Sequence, residues 1–276
     1  MDYSLDFEIG IVDFRNIIKV IKDTYDYDFT DYSLISLKRR FEQVIQLHNL
    51  KHIDLLIDRL REDKLFFQTF LQEIAVESTE MFRDPSLWRY MRDELLPSML
   101  NESSKLKIWI PMCVSGDELF TLAILLKEQG LMNQVDIVTT CLNELIISHI
   151  KSGIFKNYKI EVSEDNFARY QGKGKLSDYY QRINDQSVRD SSLIKNVEFI
   201  KQNINFDNSP QDIKLILCRN QLIYFTQNLH DKVLKVFSDS LRTGGHLILG
   251  VKEQVGLISS KYFRLINETE STYKKI

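Results

Sequence analysis

The chain has 276 residues, 43% of them apolar, and a formal net charge of -3. That size can bury one substantial core and one small one, and the near-neutral charge excludes a global pull towards nucleic acid or an anionic membrane surface. The three cysteines, Cys113, Cys141 and Cys218, stand far apart in apolar runs, without the spacing of a zinc site or a disulfide framework. A reducing cytoplasm, no metal, no cleaved leader and no membrane span are therefore expected.

From Ile9 to about Ile74 apolar residues recur three and four apart, as in Ile17, Ile18 and Ile21 and again in Leu55, Leu56 and Leu60. This spacing predicts an N-terminal helical domain over residues 1–76. Within it Lys38, Arg39 and Arg40 stand together, which reads either as a basic docking face or as an ordinary solvated helix face. Ser78 and Thr79 are capping residues, and Pro85 suits the first turn of a helix running to about Leu95, which Pro97 is expected to stop.

From Leu106 onward strands and helices alternate. Leu106–Cys113, Val135–Cys141, Lys214–Cys218 and His246–Gly250 read as strands; Glu118–Gln129, Glu144–Ser152 and Gln227–Leu241 read as helices. Such alternation predicts an α/β domain over 77–276 with a doubly wound, mostly parallel sheet. The polar stretch 167–200, with β-like pieces at Tyr179–Ile183 and Val197–Ile200, is expected to be a small inserted β-subdomain, the alternative being an excursion loop.

In open sheets of this kind ligands settle beyond the carboxyl ends of the strands, and here the first such loop is Met112–Glu118. Ser115 and Gly116 allow close approach of backbone to ligand, and Asp117 and Glu118 open the next helix, where carboxylates suit the dipole. No glycine-rich phosphate loop is present, which argues against a dinucleotide or nucleoside triphosphate. An adenosyl ligand without phosphates fits better. The end of the second strand, where an acid usually holds ribose hydroxyls, carries Cys141, so Asn143 or Thr140 is expected to substitute. His149, His230 and His246 lack metal-ligand spacing.

The octet Cys218-Arg219-Asn220-Gln221-Leu222-Ile223-Tyr224-Phe225 closely resembles the strand-end signature of the chemotaxis receptor methyltransferases of the CheR type. Four further segments follow in that family's order: Ser78 to Asp84, Trp109 to Glu118, Ser152 to Phe155, and Val197 to Phe199 leading to Asn203 and Ile204. The resemblance implies a Rossmann-like methyltransferase domain behind an N-terminal helical domain, with S-adenosylmethionine as cofactor and S-adenosylhomocysteine as product. It also implies protein-glutamate O-methylation in the cytoplasmic helical region of a chemoreceptor, by a cytoplasmic monomer.

Carried over position by position, the resemblance implies cofactor contacts from Thr79, Arg83, Ser115, Gly116, Glu118, Cys141, Asn203, Ile204, Arg219 and Asn220, with Arg83 and Tyr224 nearest the transferred methyl. An Arg there would anchor a carboxylate and a Tyr hydroxyl would orient the attacking oxygen. The chain departs from the family pattern at Glu77, at Asp117-Glu118-Leu119, at Val251-Lys252, and at Cys141 in place of the ribose acid. Loss of a charge-assisted hydroxyl contact costs roughly 1.5–3 kcal/mol. Two functions follow: an active methyltransferase, or a weakened or inactive adaptor of that fold in chemotaxis-like signalling.

Overall fold

The computed structural model describes residues 8–75, 79–184, 186–203 and 205–276. Its N-terminal part consists of α1 (Ile11–Tyr25), α2 (Leu34–Leu47), α3 (Ile53–Glu62) and α4 (Lys64–Ile74). Each helix turns one apolar stripe inward: Phe14, Ile17 and Ile21 meet Phe41, Ile45, Phe67 and Phe70 in a single core. Asp63 starts α4 by accepting from the N–H groups of Leu65 and Phe66. The expected domain boundary, with Glu77 and Ser78, lies outside the described residues.

α5 (Pro85–Tyr90), a wider π turn over Met91–Leu95, and α6 (Leu96–Glu102) follow one another without a break. Pro97 therefore does not end the helix, contrary to expectation. The π winding shifts the hydrogen-bond register just before it, and Pro97 falls in the first turn of α6, where a missing N–H costs little.

The α/β domain continues with β1 (Leu106–Ile110), α7 (Asp117–Gln129), β2 (Val135–Cys141), α8 (Glu144–Ser152), β3 (Ile154–Phe155), α9 (Ile160–Tyr170), β4 (Tyr180–Ile183) and β5 (Gln186–Arg189). It closes with β6 (Glu198–Lys201), β7 (Ile213–Leu217), α10 (Gln227–Ser240), β8 (Leu241–Ile248), β9 (Phe263–Asn267) and β10 (Thr272–Lys275). The main sheet runs β6-β2-β1-β7-β8-β10-β9. Pairings from β6 to β8 are parallel, and β10 is antiparallel to both its neighbours.

The chain winds outward from β1 to β2 and β6, then returns to β7 on the other side of β1. This reversal opens a crevice beyond β1 and β7, and the loops that leave those two strands are Pro111–Gly116 and Cys218–Phe225. The sheet is buried on both faces. Ile108, Ile110 and Leu217 pack against α7 and α8, while Trp109, Ile216 and Leu247 pack against α10.

A second sheet, β3-β5-β4, is antiparallel. The stretch 167–200 is divided differently from the expectation. Phe167 lies in the last turns of α9, and Glu198–Lys201 pairs in parallel with β2 as the edge of the main sheet. Phe199 and Ile200 are half-buried, and pairing with β2 satisfies their backbone groups where a detached hairpin would leave them to solvent.

The helical domain is joined to the crevice. Ser33 donates its N–H to Tyr224 O at 2.7 Å, Thr226 to Asp31 O at 2.9 Å, and the Tyr27 hydroxyl to Leu142 O at 2.9 Å.

Candidate active site

The loop leaving β1 turns twice through left-handed backbone, at Met112 (φ 52°) and at Gly116 (φ 76°). The turn at Gly116 requires glycine for a second reason, since a Cβ there would stand 2.9 Å from Ile150 Cγ2. This glycine therefore serves the packing of α7 on α8 as well as backbone approach to a ligand.

Asp117, the first residue of α7, is almost fully buried and acts as the hub of the loop. Its Oδ2 accepts from Ser115 Oγ at 2.8 Å, Thr79 Oγ1 at 3.1 Å and Lys159 Nζ at 3.0 Å. Its Oδ1 accepts from Arg189 Nη1 at 2.8 Å, while Arg189 Nη2 holds Ser115 O at 2.8 Å. Lys159 Nζ also reaches Thr79 O at 2.6 Å. Burial in low dielectric makes such charges costly unless paired. Here one carboxylate pairs with cations from two distant segments.

Glu118, one residue on, forms the second half of the site. Arg219 Nη1 donates to Glu118 Oε1 at 2.9 Å and to Arg83 O at 3.3 Å, and Arg219 Nη2 donates to Asp84. Desolvation pushes the Glu118 carboxyl up to about 7; Arg219 opposes the rise, and Glu253 and Asp117 add to it. Arg219 itself is 1% exposed. Beside it Asn220 sits in left-handed backbone (φ 58°), held by Glu253. That carboxylate accepts from the N–H groups of Asn220 at 2.8 Å, Leu222 at 2.6 Å, Ile223 at 3.3 Å and Gly250 at 2.7 Å.

Two contiguous clefts result. The first is lined by Thr79, Cys113, Ser115, Gly116, Glu118 and Gln221. The second is apolar, lies between the domains, and shares Met112, Val114 and Gln221 with the first; Phe29, Tyr32 and Tyr224 also line it. Arg40 stacks over the Tyr224 ring at 4.5 Å. The expected trio of basic residues on α2 is thereby divided: Arg40 turns inward, and Lys38 pairs with Glu8 at 2.7 Å.

The structure thus brings Thr79, Ser115, Gly116, Glu118 and Arg219 to one place, with Asn220 adjoining. It puts the others elsewhere. Arg83 contributes its carbonyl to the cradle, but its side chain lines a separate open polar cleft with Glu80, Asp84, Arg89 and Arg169, so Arg83 and Tyr224 line different clefts. Cys141 is 1% exposed and lies beneath the floor of the first cleft, behind Cys113. Asn203 Nδ2 is engaged with Asp26 O at 2.8 Å, and Ile204 lies outside the described residues.

Neither residue expected to stand in at the end of β2 is available for that role. Asn143 Oδ1 caps α8 through Ile146 N at 2.9 Å and its Nδ2 holds Gln68 O at 2.9 Å, while buried Thr140 Oγ1 accepts from Trp109 Nε1 at 3.2 Å. Lys159, Arg189, Asp84 and Glu253 are the residues that sequence reasoning missed. Two of them carried a signal: Asp84 ends the segment Ser78 to Asp84, and Glu253 ends Gly250-Val251-Lys252-Glu253.

Among the described residues, Arg219 Nε and Asn220 Oδ1 are buried without a hydrogen-bond partner. One is a donor and one an acceptor, left for water or a polar ligand to satisfy. With the Glu118 carboxylate and the Thr79 and Ser115 hydroxyls they make a donor and acceptor set suited to an adenosyl amino acid.

Family models resolve the assignment. That of the CheR methyltransferase all-alpha domain matches residues 12–75, and that of the CheR methyltransferase SAM-binding domain matches residues 77–272. The chain belongs to the CheR methyltransferase family. It is 34% identical over 244 residues to a Pseudomonas putida protein named methyltransferase Cher3, covering 88% of this chain and 89% of that one. Chemotaxis protein methyltransferases of Listeria innocua and Borreliella burgdorferi are 28% and 22% identical, over 88% and 92% of this chain and 90% and 92% of theirs.

This CheR-family protein is an S-adenosylmethionine-dependent methyltransferase, and the non-enzymatic adaptor is not favoured. When bound, the cofactor supplies an electrophilic methyl group on a sulfonium. Thr79, Ser115, Gly116, Glu118 and Arg219, with Asn220 beside them, are the residues that would hold it in this crevice. No helix among the described residues is long and apolar enough to cross a membrane.

Proposed function

We propose that this CheR-family enzyme methylates glutamate side chains in the cytoplasmic helical region of a chemoreceptor, acting as a cytoplasmic monomer without metal or nucleic acid. The observation that carries the reading is the buried Arg219 fork, through which one side chain of the signature octet orders Glu118, Asp84 and the Arg83 main chain around a single crevice. The relatives named chemotaxis protein methyltransferase support the choice of acceptor.

A glutamate carboxylate is already a nucleophile, so the chain needs no strong general base and contributes orientation. In this reading the Arg83 guanidinium, in the open polar cleft, anchors the acceptor carboxylate, and Tyr224 bounds the crevice on the side of the helical domain. Cys141 acts from below the floor, as packing rather than as a ribose partner. Transfer of radiolabelled methyl from S-adenosylmethionine to a chemoreceptor cytoplasmic fragment, as base-labile esters, tests the proposal. Wild-type protein should label receptor glutamates and Arg83→Ala should not. Equal labelling by Arg83→Ala, or none by wild type at saturating cofactor, contradicts it.

A further inference from the structure

The cleft floor contains a thiol pair for which methyl transfer has no use. β1 and β2 run in parallel with Ile110 opposite Thr139, and just beyond that pairing Cys113 N donates to Thr140 O at 2.9 Å, which sets Cys113 beside Cys141. Both side chains enter the same apolar cluster on the α7 face of the sheet. Neighbouring strands are about 4.8 Å apart, within the Cα separation of roughly 4.4–6.8 Å that a disulfide bridges.

The two thiols are not equivalent. Cys113 lines the cleft together with Gly116 and Glu118, whereas Cys141 is shielded behind it. Hydrogen bonding to Cys141 and to the Gly116 N–H holds the Cys113 pKa below the usual thiol value, against burial and the Glu118 charge. Contact with Cys113 and burial push Cys141 up. Cys218 packs on the opposite face of the sheet, where burial also pushes it up. This gives one thiol that lines the cleft, a second shielded thiol next to it, and a third cysteine on the opposite face of the sheet.

We propose that Cys113 and Cys141 are an oxidisable pair whose disulfide closes the cofactor cleft. The oxidant class is a hydroperoxide. The Cys113 thiolate attacks the peroxide oxygen and the O–O bond breaks, giving a sulfenic acid and, after protonation of the leaving oxygen, water (for an organic peroxide, the alcohol). The Cys141 sulfur then attacks the Cys113 sulfur. Its proton leaves with the displaced hydroxide as a second water, so two thiols are oxidised by two electrons and one peroxide is reduced.

The S–S bond of about 2.05 Å is shorter than any contact between two thiols, so its formation draws Cys113 towards β2 and the segment Val114–Gly116 with it. That segment carries the Ser115 carbonyl held by Arg189 and the Ser115 hydroxyl held by Asp117. The gating rests on the reading of this cleft as the cofactor site; a cofactor bound there covers Cys113 and slows its oxidation, and by linkage disfavours the disulfide.

The test treats full-length protein with hydrogen peroxide, maps cross-linked peptides by mass spectrometry, and titrates reduced and oxidised samples with S-adenosylhomocysteine. The expected result is a Cys113–Cys141 cross-link in wild type and in Cys218→Ser but in neither Cys113→Ser nor Cys141→Ser. S-adenosylhomocysteine should slow its formation, and affinity should fall about tenfold or more, with recovery in dithiothreitol. Absence of the cross-link in folded wild type, or equal affinity of the two samples, overturns the proposal. Reduced protein that takes up no S-adenosylhomocysteine overturns the cofactor reading of the cleft and the gating with it, even where the cross-link forms.

Discussion

Arg189, on the small antiparallel sheet, donates from Nη1 to Asp117 Oδ1 at 2.8 Å, and both side chains are buried. The guanidinium also lies over the rings of Phe120 at 4.3 Å and Phe155 at 5.2 Å. Through this pair the subdomain is fastened to the loop that forms one wall of the crevice.

Breaking a buried pair from one side leaves the other charge uncompensated. Arg189→Met should therefore cost roughly 3–5 kcal/mol of folding stability, as read by urea denaturation. Arg189→Lys keeps a charge but loses the fork that holds Asp117 and Ser115 O together, so it should retain part of the stability while S-adenosylhomocysteine affinity still falls. Unchanged denaturation midpoints for both variants would show that the pair fastens nothing.

Glu118 gives the site a pH dependence. Its carboxyl lies at about 7 in the fold against an ordinary 4.5, so between those values the folded chain binds more protons than the unfolded one. The stability contributed by this group is thus fully present below the unfolded value and is lost as pH rises through the folded one. Cofactor affinity should move the other way, because the ionised carboxylate is the stronger acceptor. S-adenosylhomocysteine binding should strengthen about tenfold from pH 6 to 8 if this one group governs it. Glu118→Gln should bind more weakly at pH 8 and show a flat profile; a wild-type profile that is already flat excludes the role.

Glu253 concentrates four backbone N–H groups of the Asn220 turn and Gly250 on one carboxylate. Glu253→Ala leaves these buried donors without a partner and should cost about 3 kcal/mol or more. Glu253→Gln restores acceptance at one oxygen only and should fall between. Faster amide exchange at Asn220 and Leu222 in Glu253→Gln, with β7 unaffected, is the local sign of this role.

The order of strands and helices was legible because it rests on local periodicity, and the octet at Cys218–Phe225 marked the second wall of the cleft directly. Pro97 misled because a proline is compatible with a helix whose register shifts immediately before it. Asp117 was read only as a first-turn helix charge. Its partners Lys159 and Arg189 come from segments far along the chain, so no spacing in the sequence announces the network. The expectation for Asn143 and Thr140 overlooked that a helix cap and a strand-end hydroxyl already have backbone and indole partners to satisfy.

The interdomain face offers another check. Arg40 donates to Ile74 O at 3.0 Å and stacks over Tyr224, so Arg40→Ala should remove a cation–π contact worth about 1 kcal/mol and loosen the helical domain against the octet. The expected outcome is increased protease cleavage after the helical domain and a higher KM for receptor fragment, with S-adenosylhomocysteine affinity nearly unchanged. A drop in cofactor affinity as large as that of Arg219→Lys would instead place Arg40 in the cradle.

The central claim, that the crevice ordered by Arg219 holds the cofactor, is tested most directly by calorimetric titration of the reduced protein with S-adenosylhomocysteine. One-site saturable binding is predicted for wild type, weakened about tenfold or more by Arg219→Lys, because an ammonium cannot span Glu118, Asp84 and the Arg83 carbonyl as the fork does. No heat of binding at millimolar ligand, or equal affinity in folded Arg219→Lys, would contradict it.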